Sequence, residues 1–354
     1  MSPQPERTLF VGSFTAPKGA RGEGLTTLSA APEGAVLRLV GVDRGGCPAY
    51  LVQHPTLDRL YAASELPDGT IDTYAVEPDG STRLIAQTAT GSSPAHIALG
   101  VVDGTTFLFT SHYFGGCFAV HRVDDDGTVG ELLDLVDRRP AAGPGRTARA
   151  HCAVFAPDGR FVYGTDLGTD QVLTYAIDAE TGKITEVAAA STPADAGPRH
   201  LALHPDGRLF VSAELGGLVM TFRTSTDGKL EWVGDRPSLA HRSPAGPAGD
   251  PVRPQPSEIV LSHGGRFLHV GNRRVGMIST FEVEDDDLRH IADTPTGGRT
   301  PRHFAVVDDE LYVGNEDIDD VRAFHVDPQS GLLSPTGARV EVLCPVAILV
   351  GGQR

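Results

Sequence analysis

Imidazoles, guanidinium groups and carboxylates stand along this chain at places where short apolar runs begin or end. Arg199 and His200 open one run of "GPRHLALHPDGRLFVSAEL", and Glu214 closes the next. Tyr50, His96, His151, Glu258, Arg302 and His303 open comparable runs, whereas Glu65, His112, Asp166, Arg273 and Glu316 close others. A histidine can take a proton from water near neutral pH. Arginine forks suit a phosphate, a carboxylate or the charge that builds on a carbonyl oxygen. Such a set can activate water beside an anionic substrate, provided that distant stretches of chain meet.

The elements that would bring them together repeat. The closing run occurs seven times, as "TLFVGSF" (8–14), "RLYAASE" (59–65), "FLFTSHY" (107–113), "FVYGTDL" (161–167), "LFVSAEL" (209–215), "FLHVGNR" (267–273) and "LYVGNED" (311–317). The opening run is anchored at Pro48, Pro94, Ala150, Pro198, Pro256, Pro301 and Pro345, at spacings of 44 to 58 residues. A third run such as "QVLTYAID" and a shorter fourth such as "GKITEVA" follow. Four short strands per unit, separated by Gly and Asp turns, are the pattern of a propeller blade. Apolar runs broken every few residues by Pro-Asp-Gly cannot hold a helical period. The expectation is an all-β, seven-bladed β-propeller of four-stranded antiparallel blades, a single domain over 1–354. Its last first-strand, "CPVAILV", would pair beside the N-terminal run and leave no open edge.

Antiparallel strands alternate direction, so the starts of the innermost strands and the ends of the second strands open on one face. The connections 137–150 and 236–254 rim that face, and the Pro-Asp-Gly turns open on the other. Arg199, His200 and Glu214 therefore belong to one rim near the axis.

The net charge of −16 argues against nucleic acid, which calls for a basic surface. Four scattered cysteines without a CxxC pair suit thiols in a reducing cytoplasm. No apolar run approaches the ~18 residues of a membrane span. A monomer or weak homo-oligomer in the cytoplasm is expected.

In "RAHCAVFAPDGRFVYGTDLGTDQV", "GPRHLALHPDGRLFVSAEL", "SEIVLSHGGRFLHVGNRR" and the opening "LFVGSFT", the chain resembles the seven-bladed propeller lactonases. That family holds bacterial 6-phosphogluconolactonases and fungal carboxy-muconate cyclases. The resemblance implies His151, Arg199, Glu214 and Arg273 as the catalytic group. It also implies hydrolysis of a sugar lactone, chiefly 6-phospho-D-glucono-1,5-lactone, without a cofactor. His151 or Glu214 would activate water, and Arg199 and Arg273 would hold the anionic substrate. His96, Arg149, His200, Glu258, Arg302 and His303 are the candidate substrate-binding residues.

Three positions depart from the family pattern: Arg149 replaces a usual histidine, and His112 and Ala213 replace asparagines. A muconate-type or specialised lactone is the second reading, and a non-catalytic propeller that binds a small anion or a protein is the third. Structural roles compete at single positions. Arg199–Glu214 could be an ion pair tying two strands, His200 and His303 could pack between blades, and Glu258 could cap a loop. Cys152 is expected as a buried thiol, because strand alternation turns it away from the face of His151. A metal on Glu65, Asp166, Glu214 and Glu316 is not expected, since these carboxylates lie on different blades among arginines.

Overall fold

The computed structural model describes residues 6–240, 252–285 and 287–352. Seven four-stranded antiparallel sheets follow one another along the chain, each in simple sequential order except the one that joins the chain ends. There Pro345–Val350 is innermost and pairs with Arg7–Ser13, Leu9 opposite Val350 and Val11 opposite Ile348. The innermost strands Pro48–Gln53, Pro94–Val102, Ala150–Phe155, Pro198–Leu203, Gln255–Ser262, Pro301–Val307 and Pro345–Val350 each touch the next, and the last touches the first. The ring is closed, and the seven blades and terminal pairing read from the sequence are present.

Alternation of apolar residues supplies the core, which lies between blades rather than at the axis. Phe107, Phe109, Phe118 and Val120 of one blade pack on Ala153, Val162, Leu173 and Tyr175 of the next. The Pro-Asp-Gly turns work through their glycine. Gly159 has φ +70°, its N–H donates to Ala156 O at 2.9 Å, and a Cβ there would collide with the Val101 carbonyl oxygen. Only glycine meets both demands.

The closing strand carries testable weight. Ile348 is 3% exposed and sits with Leu9, Val11 and Tyr312. Ile348→Ala is expected to cost about 2–5 kcal/mol, as large-to-small core changes do. A lower denaturant midpoint with an unchanged m value would register it.

Candidate active site

The site begins with an irregularity common to all seven innermost strands. Directly after its anchor, each carries a β-bulge, in which two residues face one partner. The first residues of these bulges are Ala49, Ala95, His151, Arg199, Ser257, Arg302 and Val346. All except Ser257 line a cavity of about 260 Å³ at the axis. Ser257 instead donates to the Pro301 carbonyl at 2.8 Å. One layer deeper, the second bulge residues include Tyr50, His96, His200, Glu258 and His303.

Cations dominate the cavity wall. Lys18, Arg199, Arg273 and Arg302 face Glu65 and Glu214. Glu214 Oε2 lies 3.0 Å from Arg199 Nε and 2.6 Å from Arg273 Nη2. Arg302 Nη1 is 3.3 Å from Glu316, and Lys18 pairs with Glu65. Both cations also cover the Phe14 ring, at 4.7 and 3.9 Å from its centroid. Burial, then the neighbouring charge of Arg273, lowers Arg199 to about 9. Burial pushes the Glu214 carboxyl up, but Arg273 and Arg199 outweigh it and hold the group below the usual range. Arg199 Nη1 is buried with no hydrogen-bond partner.

His151 is buried, and its ring stands edge-on to Tyr113 at 5.5 Å and to His200 at 5.1 Å. Its Nδ1 has no partner. Burial first, then Arg199, holds this imidazole well below the ordinary histidine range. In the layer beneath, Glu258 Oε2 is 2.9 Å from His200 Nδ1 and 2.8 Å from His303 Nε2. Tyr50 lies against His96, ring centroids 3.8 Å apart.

A family model described as "Lactonase, 7-bladed beta-propeller" matches residues 8–350. The chain belongs to that lactonase family. The 6-phosphogluconolactonase of Bacillus subtilis is 28% identical to it, over 86% of this chain and 87% of that one. The 6-phosphogluconolactonase of Pectobacterium carotovorum is 27% identical, over 86% and 88%. The solved structure of the Pseudomonas aeruginosa periplasmic gluconolactonase superposes with a TM-score of 0.86 at 28% identity, covering 98% of this chain and 99% of that one. Membership makes the chain a lactonase-type hydrolase.

Of the residues singled out in the sequence, the axial cavity takes in Tyr50, Glu65, His151, Arg199, His200, Glu214, Arg273, Arg302 and His303. Arg149 lies outside it, stacked over Tyr113 and Phe114 at 4.8 and 5.4 Å. His96 and Glu258 also do not line it: His96 lies against Tyr50, and Glu258 lies behind His200 and His303. Glu258 caps no loop, and His200 and His303 meet it at the axis instead of packing between blades. Cys152 is a buried thiol in the apolar core and lies outside the cavity wall, as expected. Burial, then the charge of Glu258, pushes this thiol up. Asp166 accepts the N–H groups of Arg149, Gly168 and Thr169, which spends it on loop geometry. Among the described residues no His, Cys, Asp and Glu cluster could hold a metal ion, and no helix is long and apolar enough to cross a membrane. Most of the 236–254 connection, residues 241–251, lies outside the described residues.

Sequence reading passed over Lys18 and the ring of Phe14. Both sit in "SFTAPKG", where the second-to-third strand connection of the closing blade is long. That length places them on the face where the other second strands end.

His112 is likewise structural, bonded to Thr110 Oγ1 at 2.9 Å and to the Ser92 carbonyl at 3.0 Å. Burial lowers it to about 4. Folded His112 is neutral where an unfolded histidine, near ~6.5, is charged. Its stabilisation is therefore present above pH ~6.5 and lost as pH falls towards its folded value. His112→Asn is expected to flatten the acid limb by up to about 1.4 kcal/mol per pH unit. Denaturant unfolding at pH 7 and pH 5, variant against wild type, reads the difference.

Proposed function

We propose that this lactonase hydrolyses a small anionic sugar lactone, 6-phospho-D-glucono-1,5-lactone. One observation carries the reading: in a chain of net charge −16, the axial cavity gathers four cations against two carboxylates. A cavity of about 260 Å³ suits a single sugar ring and excludes a polymer. The relatives named 6-phosphogluconolactonase support the substrate class. Four free cysteines accord with a cytoplasmic setting, where phosphorylated sugars are made and kept.

In this reading Arg273 and Arg302, at the mouth, hold the phosphate. Arg199, whose Nη1 has no partner, donates to the carbonyl oxygen as negative charge develops on it. Glu214 is a poor base, because taking a proton would strip two arginines of their shared countercharge. It aligns those arginines instead. Water loses its proton to an imidazole of the wall, and the resemblance points to His151.

The test is kcat/KM for the phosphorylated lactone against unphosphorylated glucono-1,5-lactone, each corrected for spontaneous opening. The expected result is a preference for the phosphorylated lactone that Arg302→Met reduces about 10- to 100-fold, the weight of a charge-assisted contact of roughly 1.5–3 kcal/mol. Equal rates on both lactones would remove the phosphate from the proposal. Acceleration of neither would remove the lactone.

A further inference from the structure

We propose that His200 is the general base of this site, with Glu258 beneath it as the positioning residue that fixes its tautomer. The proposal rests on the lactonase reading above and reassigns its proton acceptor.

The hydrogen bonds fix the protons one by one. The backbone N–H of Ile348 donates to His303 Nδ1 at 3.2 Å, so in neutral His303 the proton is on Nε2. That N–H points at Glu258 Oε2, 2.8 Å away. The other oxygen, Oε1, accepts the N–H of Ile259 at 3.1 Å. His200 Nδ1, at 2.9 Å from Oε2, is the third group around the carboxylate. Against an ionised acceptor-only oxygen, Nδ1 must carry the proton, which leaves the lone pair of His200 on Nε2. Burial raises the Glu258 carboxyl, but His200 and His303 overcome that and hold it well below its usual range. Ser212 Oγ accepts the backbone N–H of His200 at 3.1 Å, so the main chain is anchored as well.

Three imidazoles line the wall; His303 spends Nδ1 on the Ile348 N–H and Nε2 on Glu258, and the other two, His151 and His200, differ in what they can do. A base becomes a cation as it takes the proton. The cations around His151 are Arg199, Arg302 and Arg273, every one of which opposes a further positive charge, and its remaining titratable neighbour is His200. His200 meets Arg199, His303 and the rings of Tyr50, His96 and His151, but unlike His151 it has a carboxylate in contact. Burial still lowers His200 to about 4, so it is neutral and ready to accept at neutral pH. A carboxylate behind an imidazole both orients the ring and stabilises the imidazolium.

The step balances within the site. Water gives its proton to His200 Nε2 while its oxygen bonds to the lactone carbonyl carbon, and the carbonyl electron pair moves onto oxygen beside Arg199. Collapse of that adduct breaks the ring C–O bond. The proton on Nε2 passes to the departing ring oxygen, which becomes a hydroxyl, and Glu258 stays ionised throughout.

Nitrogen-15 NMR of the histidine side chains at pH 7, with kinetics on 6-phosphogluconolactone, tests this. Wild type is expected to show His200 protonated on Nδ1 alone. His200→Asn keeps an amide donor towards Glu258 and so preserves the fold, but it offers no base. Its kcat is expected to fall about 10²- to 10⁴-fold, the usual weight of a general base, with KM little moved. Glu258→Gln is expected to lower kcat without raising KM and to convert His200 to the Nε2–H tautomer. Added to His200→Asn, it should cost nothing further. A wild-type His200 protonated on Nε2 overturns the proposal, whatever lactone is opened. So does full kcat in His200→Asn beside a collapse in His151→Asn, which leaves the lactonase reading intact. Wild type that opens no lactone ends that reading and the proposal with it, and an Nδ1–H His200 in the same spectra would show that the reading failed and not the dyad.

Discussion

Replacing Arg199 with methionine should lower kcat for lactone opening by about 10²- to 10³-fold, the loss seen when one donor to a developing oxyanion is removed. KM should scarcely move, because the contact strengthens only as the carbonyl oxygen gains charge. The same variant should melt at or above the wild-type temperature. Glu214 loses one partner but keeps Arg273 at 2.6 Å, so no carboxylate is stranded. A desolvated guanidinium is exchanged for an apolar chain of similar length, a change that is often neutral or stabilising. Steady-state kinetics and a thermal melt on one preparation check both halves. An unchanged kcat would sink the role given to Arg199. A large fall in melting temperature would show that the Arg199–Glu214 pair is structural first.

The contrast between blade count and site layer shows where the sequence is informative. Seven anchored repeats and the orphan strand 345–350 fix the propeller, since each apolar run must bury one face and the chain ends must cover one edge. Which face His151, Arg199 and Glu214 occupy follows from strand direction alone. Depth along the axis does not. It is decided by the bulge after each anchor, which seats His151, Arg199 and Arg302 in the upper layer and His96, His200, Glu258 and His303 below. A bulge leaves no mark in hydrophobic periodicity, because the residues inside it line the axis and are polar in some blades and apolar in others. Pairings such as Glu258 with two histidines join residues 45 and 58 positions apart in sequence, and no local pattern links them.

Glu214→Gln is expected to do the reverse of the arginine change. Its carboxylate is the contact of both Arg199 and Arg273, so the amide leaves two largely buried guanidinium groups facing each other without a countercharge. Breaking such a pair from the carboxylate side costs about 3–5 kcal/mol, with the lower figure apt here because Glu214 opens on the cavity. The loss should depend on pH with a definite sign. The folded carboxyl lies below its unfolded value, so wild type gains its full stabilisation above that unfolded value, near ~4.3, and loses it as pH falls through the folded one. The gap between wild type and variant should be widest at neutral pH and should close only as pH falls through that lowered folded value. An anion can stand in for the missing charge. Inorganic phosphate should therefore raise the melting temperature of Glu214→Gln more than that of wild type, by the mass-action term for a ligand bound only to the folded state. If phosphate stabilises both proteins equally, the two arginines do not form the anion site, and Glu214 merely joins one strand end to another.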